Sequence, residues 1–396
     1  MIGQRIRQLR LARGLSQDGL TAKMGGLVTK SAVSKYEKGK STPSIVVINR
    51  LASALGVKSV DLWGESSVAI NVTPYRCKAS MPAKERVRVE SIIAVALEER
   101  VRLQSLVQDS GTFDLPIHSF PSDAFDLVED AAGKVRNQWK LGLDPIPSMV
   151  RTLEDHGVYV IELDACEHFD ALAAIASDSD GGQPVAAAVI TQKTVPGDRQ
   201  RFNLAHELGH LVLDTPEGGD AKSYEDAAHR FAGAFLAPAE KVRAHVGSKR
   251  HQIELAELIL LKQRFGMSIQ ALLRRMLDLD IISDNLYTQW CVHISKLGWR
   301  RSEPEPLPSE QPEWLRRIAL RAFAEQIITR EEAEKFLGET VEGTDPPELV
   351  ERRAFLALPM DERRKILAKQ AAELSEHLDA DEELRGLGGG DFIEHD

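Results

Sequence analysis

With 396 residues, the chain has room for two or three domains of about 100 to 200 residues each. Its 43 % hydrophobic and 28 % charged residues are ordinary for a globular protein, and no run approaches the roughly 18 apolar residues of a membrane span. The opening Met1-Ile2-Gly3-Gln4-Arg5 lacks the apolar stretch of a signal peptide, so the expected location is the cytoplasm. Cys77, Cys166 and Cys291 lie far apart in the chain, which speaks against a disulfide framework and against a CxxC metal site. Any metal would have to be held by histidine and carboxylate.

The net charge of −10 is unevenly spread. Residues 1–60 carry eleven Lys and Arg against two acids, a balance of +9, so the other 336 residues carry −19. Neutralising phosphates needs clustered rather than average positive charge, so a basic head on an acidic body is what a nucleic-acid contact confined to one domain requires. The alternative is a solvated basic surface.

Residues 2–63 read as short helices. The first runs from Ile2 to Gly14, and the second is Gln17–Met24 behind an N-cap Ser16. A third is Lys30–Lys38, capped by Thr29 and stopped by Gly39, and a fourth is Ser44–Leu55, opened by Pro43 and ended by Gly56. From Ser66 to Pro82 the pattern alternates, predicting an extended or edge strand, with a domain boundary near Gly64. Helix follows over Ala83–Val107 and again over Ala124–Trp139. Val158–Leu163 and Val185–Ile190 are apolar runs bounded by Gly, Asp and Pro, and read as strands. From about Arg201 to residue 285 helix dominates. The segment 301–312, RSEPEPLPSEQP, reads as a linker or surface loop.

A helix carrying small polar and basic residues behind a tight turn suits the major groove, where its leading residues face base edges. Here that helix is Lys30–Glu37, offering Lys30, Ser31, Ser34 and Lys35 behind Thr29. Gln17 stands at the first turn of the preceding helix, and Lys38 and Lys40 stand where backbone phosphates would lie. The stretches Arg5-Ile6-Arg7-Gln8-Leu9-Arg10, Gly14-Leu15-Ser16-Gln17, Val33-Ser34-Lys35-Tyr36-Glu37-Lys38-Gly39 and Leu51-Ala52-Ser53-Ala54-Leu55-Gly56-Val57 resemble the repressor-type helix-turn-helix family of phage lambda repressor and Cro. The resemblance implies a DNA operator, bound as a dimer on a palindrome. The departure is the turn Met24-Gly25-Gly26-Leu27-Val28-Thr29, which is longer or differently placed than the usual one. The competing reading is a helical protein-interaction module.

His206-Glu207-Leu208-Gly209-His210 is an H-E-x-x-H pattern inside a helical apolar run. At 3.6 residues per turn the two histidines are about 40° apart around the axis, so both imidazoles can reach one Zn²⁺. The glutamate of such a pattern does not ligate; it takes a proton from the attacking water and passes it to the leaving amine. A catalytic zinc needs a third protein ligand and an open position. Glu225 is the candidate, on a second helix fifteen residues beyond His210.

Both segments, with Phe235-Leu236-Ala237-Pro238, resemble the ImmA/IrrE family of bacterial metallopeptidases, as do Leu143-Asp144-Pro145-Ile146 and Phe265-Gly266-Met267-Ser268. The resemblance implies Glu225 as the third zinc ligand and Glu207 as the general base. His229 stands where that family usually has Asn, and at i, i+4 from Glu225 it would either add to the metal shell or orient Glu225. Two other readings are a metal-binding but proteolytically silent sensor and a pair of unmetallated histidines.

From Asp345 to Asp396 there are 14 acids against 7 bases. Helix is expected over Ala354–Leu378, followed by a Gly-Gly-Gly break and the acidic end Asp391–Asp396. Leu358 to Leu367 and Gly389 to Glu394 resemble short antitoxins encoded beside small ribonuclease toxins, which would make this tail the site of a neighbouring toxin. The alternative is a solvated helix and a frayed end.

The expected fold is mainly α with a small α+β zincin-like peptidase core and an all-α helix-turn-helix domain. The expected division is residues 1–64, the DNA-binding domain; 65–123, a connecting strand and helix; 124–300, the zinc peptidase domain; 301–349, a linker and helical extension; and 350–396, the acidic tail. The expected function is a bacterial transcriptional regulator whose zinc endopeptidase domain cleaves a regulatory protein such as a repressor. The rival is an antitoxin-like autorepressor that uses the zincin domain as a sensor or scaffold.

Overall fold

The computed structural model describes residues 2–63, 68–72, 82–107, 115–163, 171–178, 182–214, 220–341, 355 and 358–380, and falls into two units, Met1–Ile318 and Ala319–Asp396. The chain begins with five helices: α1 (Ile2–Ala12), α2 (Gln17–Lys23), α3 (Lys30–Glu37), α4 (Ile45–Leu55) and α5 (Ser59–Trp63). Their ends follow from local chemistry. Ser16 Oγ accepts from Gly19 N at 2.9 Å and Thr29 Oγ1 from Ala32 N at 3.3 Å, while Gly56, at φ 65°, turns the chain out of α4. Ile6, Leu9, Leu20, Met24, Val33 and Leu51 close one small core. Inside it Arg10 meets Glu37 in a buried two-pronged pair, Nε to Oε1 at 2.5 Å and Nη2 to Oε2 at 3.0 Å.

Strand β1 (Val68–Val72) and the long α6 (Ala83–Val107) follow. One helix serves two neighbours. Val95 of α6 packs against the head core and Glu98 pairs with Arg5, while nearer its C-terminal end Gln104 accepts a hydrogen bond from the Tyr159 hydroxyl of the body.

The body consists of α7 (Phe125–Gln138), α8 (Met149–Asp155), β2 (Val158–Leu163), β3 (Ala171–Asp178), β4 (Pro184–Gln192) and then α9 (Gly197–Val212), α10 (Ala221–Leu236), α11 (Ala239–Val246), α12 (Leu255–Phe265), α13 (Ile269–Asp278) and α14 (Asp284–Lys296), and α15 (Trp314–Ala324) begins in it and ends in the second unit. The strands form one sheet in the order β1-β3-β4-β2, with β2 parallel to β4 and the other pairs antiparallel. β1 sits at the edge, Val68 opposite Asp178 and Val72 opposite Ala174.

β3, with the sequence ALAAIASD, has no counterpart among the expected strands. Alanine carries no β-branched signature, yet burial along almost the whole strand favours it because small side chains let α9 lie close on β3 and β4. The fold is mainly helical with a small mixed sheet, as expected.

Segment 301–312 does not hang free as a linker; it runs extended across the body. Gly197 N donates to Leu307 O at 2.9 Å, and a Cβ at Gly197 would fall 2.0 Å from Pro308 O, so only glycine permits this approach. Gln200 and Glu310 exchange side-chain to backbone hydrogen bonds at 2.9 and 2.7 Å. The Glu310 carboxylate accepts from Ser148 Oγ and Val150 N, both at 2.7 Å, at the start of α8 and also pairs with Arg201. Further on, Glu154 accepts from Glu313 N at 3.1 Å and Trp314 N at 2.9 Å, capping α15. Burial pushes the Glu154 carboxyl up to about 7, against those two N–H donors and the charges of Arg100 and Arg317.

In the second unit α16 (Arg330–Leu337) opens on a capping box, Thr329 with Glu332. Within the expected Ala354–Leu378 stretch Phe355 is helical, Leu358 and Pro359 are not, and the tail helix α17 (Met360–Ala380) leaves Met360, Ile366 and Leu367 exposed. The acidic end Asp391–Asp396 lies outside the described residues, as do Cys77 and Cys166. Among the described residues no helix is long and apolar enough to cross a membrane.

Candidate metal centre and nucleic-acid surface

α9 is buried along nearly its whole length, and its two histidines are sealed, His206 at 0 % exposure and His210 at 1 %. Their Nε2 atoms lie 2.9 Å apart. α10 runs alongside and brings Glu225 to both, Oε2 at 3.4 Å from His206 Nε2 and Oε1 at 3.4 Å from His210 Nε2. Among the described residues these three form a group able to hold a metal ion, with all their ligand atoms within 4.8 Å of one another. Burial works against the Glu225 charge, but hydrogen bonds and charge from His206 and His210 outweigh it and hold its carboxyl well below the usual carboxylate range.

The donor set fits zinc. Ligands at 2.0–2.1 Å in tetrahedral geometry stand about 3.3 Å apart, close to the three separations seen here, and two imidazoles with one carboxylate match a catalytic rather than a closed structural set. Glu225 keeps 26 % of its side chain exposed, while both histidines are sealed. Glu207 follows His206 and is buried at 2 %, outside the three-residue cluster.

Two features that hold Glu225 in place were not read from the sequence. Gly209, the fourth residue of the motif, faces α10, where a Cβ would stand 3.1 Å from Phe231 Cδ1 and 3.3 Å from Phe231 Cβ; the glycine is what lets α10 approach. Beside Glu225, buried Tyr224 donates to His210 O at 3.2 Å, tying the start of α10 to the end of α9. The only sequence cues were a small residue inside H-E-x-x-H and an aromatic before Glu225, neither specific. His229 lies one turn past Glu225, exposed, with its ring 4.4 Å from that of His206 and 5.8 Å from that of Phe202; it is not among the three clustered residues. Asp214 accepts from Ser122 N at 3.1 Å and so fixes the strand-like segment after α9; it is not among the three clustered residues.

On the head, Thr29, Lys30, Ser31, Lys35, Lys38 and Lys40 are exposed and Ser34 is half-buried, all on or beside α3. Lys30 pairs with Asp18 at 2.7 Å, while Lys35, Lys38 and Lys40 have no ion pair among the described residues. Gln17 stands apart from this set: it is half-buried, and its amide donates to Glu37 Oε2 at 2.8 Å, joining the Arg10 pair. The six-residue turn between α2 and α3 is accommodated by Gly25 and Gly26, both at positive φ.

A basic head of this form on a body with a His-His-Glu cluster defines a helix-turn-helix regulator with a metallopeptidase-type body. Residues 6–62 match the helix-turn-helix family model, and residues 153–277 match that of the IrrE N-terminal-like domain, peptidase M78. Over 62 residues, 16 % of this chain and 78 % of the relative, the sequence is 32 % identical to an uncharacterized HTH-type transcriptional regulator, y4dJ, of Sinorhizobium fredii (strain NBRC 101917 / NGR234). The chain belongs to the HTH-type transcriptional regulators and carries an IrrE N-terminal-like domain in its body.

Proposed function

We propose that this regulator is a zinc endopeptidase acting on a regulatory protein such as a repressor, with the helix-turn-helix head placing it on an operator. The observation that carries the reading is the convergence of His206, His210 and Glu225 from two helices onto one point, with Glu225 partly exposed. Zinc held there supplies Lewis acidity toward water and toward a peptide carbonyl. Glu207, next to His206, takes the proton of the attacking water and returns it to the leaving amine. Tyr224 and Gly209 keep Glu225 in register with the histidines. On the head, Lys35, Lys38 and Lys40 supply phosphate neutralisation, and Lys30, Ser31 and Ser34 face the groove. Gln17 acts by orienting Glu37, and α3 with it, rather than as a free contact.

The test compares cells producing the wild-type protein with cells producing Glu207→Gln. New protein N-termini should appear with wild type and vanish with the variant, while both proteins footprint the same operator. Identical N-termini in the two samples would contradict the peptidase. The rival antitoxin reading draws on the exposed Met360, Ile366 and Leu367 of α17. It predicts that the neighbouring gene product co-purifies with the full chain and is lost when residues 350–396 are removed, with no dependence on Glu207.

A further inference from the structure

A cavity of about 590 Å³ lies along the two helices that carry the metal cluster. Its wall includes Arg199 and Phe202 of α9, one to two turns before His206, and Asp226 and His229 of α10, within a turn after Glu225. At 1.5 Å per residue, His229 stands about 6 Å and Gly233 about 12 Å along α10 from Glu225. An extended peptide advances about 3.3 Å per residue, so this wall lies roughly two to four residues' reach along α10 from the cluster, whose own residues do not line the cavity.

Among the described residues its lining holds seven cations and four carboxylates, and most are already committed. Lys262, fully buried, pairs with Asp198 at 2.5 Å and Glu303 at 3.0 Å. Arg230 and Arg275 are held by Glu129, and Arg274 by Asp278 at 2.9 Å. The cations left over are Arg199, Arg300 and Arg301, exposed and without an ion pair among the described residues; against them stands one lining carboxylate, Asp226. They are neighbours, since Arg199 Nη2 donates to Arg300 O at 2.8 Å. They are also fixed in place: Glu303, two residues on, accepts from Ile269 N at 2.8 Å and Gln270 N at 3.2 Å at the start of α13, which anchors this stretch of backbone. Guanidinium groups on an anchored wall are the preferred partners of carboxylates, and aromatic neighbours such as Phe202 and Trp299 add apolar contact.

We propose that this cavity is the specificity subsite for an acidic stretch of the peptide substrate, recognised by Arg199, Arg300 and Arg301. The assignment rests on the peptidase reading above, and its test separates the two. Zinc-loaded full-length Glu207→Gln protein is titrated with a fluorescein-labelled ten-residue peptide containing four glutamates and with its all-glutamine counterpart, read by fluorescence anisotropy. The acidic peptide should bind about tenfold tighter or more at low salt and lose that advantage near about 1 M salt. The double variant Arg300→Ala/Arg301→Ala, and separately Arg301→Glu, should remove the preference while leaving the glutamine peptide and the melting temperature unchanged. Equal affinity for the two peptides, or an unaltered preference in both variants, overturns the subsite. In a parallel arm wild-type protein is given a peptide library. Acidic binding with no cleavage keeps the cavity assignment and sinks the peptidase, whereas cleavage indifferent to acidic residues keeps the peptidase and sinks the subsite.

Discussion

The head and the body place their candidate functional groups in opposite environments. On α3 the lysines stand in solvent and the core beneath them is assembled from neighbours in sequence. In the body the histidines are sealed inside α9, and the carboxylate that completes their cluster arrives on another helix. A surface function of the first kind tolerates change one charge at a time. A buried site of the second kind depends on packing several residues away, so substitutions that touch no ligand should still damage it.

The largest stability effect is expected where the head breaks its own pattern, at the buried Arg10–Glu37 pair. Glu37→Ala leaves Arg10 charged and buried without its carboxylate and should cost about 3–5 kcal/mol. Urea unfolding followed by amide exchange within residues 6–55 measures it, and a loss below about 1 kcal/mol would show that the pair is not a structural keystone.

In the body the corresponding liability is Glu154. Its folded pKa of about 7 lies above the ordinary value of 4.5, so the folded state holds the proton more tightly than the unfolded one. The resulting stability is full below about pH 4.5, falls as pH rises toward 7, and is level above that, a total of about 3 kcal/mol at 1.36 kcal/mol per unit. Glu154→Gln can still accept from Glu313 N and Trp314 N, and should flatten the decline. Denaturant midpoints from pH 4 to 8 for both proteins are the check; parallel curves would remove Glu154 as the cause.

Gly209→Ala sharpens the contrast. The added methyl meets Phe231 and should cost about 1–3 kcal/mol of overpacking, with weaker zinc retention as Glu225 is pushed away. Zinc competition with a chelator reads the second effect, and the double variant Gly209→Ala/Phe231→Leu should recover part of it. The smallest effect is expected on the head surface. Lys35→Ala should weaken operator and random duplex alike and reduce the slope of log affinity against log salt by about 1. A change confined to the operator would mean that Lys35 reads bases.

What the sequence made legible follows the same division. Helices of the head announced themselves through Ser16, Thr29 and Gly56, and the run from Ala83 starts where expected because Pro82 opens it locally. β2 was visible as an apolar run. β3 was not, because its alanines serve close helix packing and leave no strand signature. The Pro- and Glu-rich segment 301–312 looked solvated, yet Glu303 and Glu310 spend their charge on helix starts and on buried Lys262 and Arg201. Such pairings join residues more than thirty positions apart, and no local pattern encodes them. The histidines of the cluster were readable from their i, i+4 spacing. Glu225 came from a second motif, and Tyr224 and Phe231, which seat it, came from neither.

The most direct test of the account is zinc stoichiometry by mass spectrometry on reconstituted, gel-filtered protein: about one zinc per chain in wild type, about one in Glu207→Gln, and at most about a tenth in Glu225→Ala. Zinc that stays at the wild-type level in Glu225→Ala, or that never loads in wild type, would contradict a metal centre built from α9 and α10.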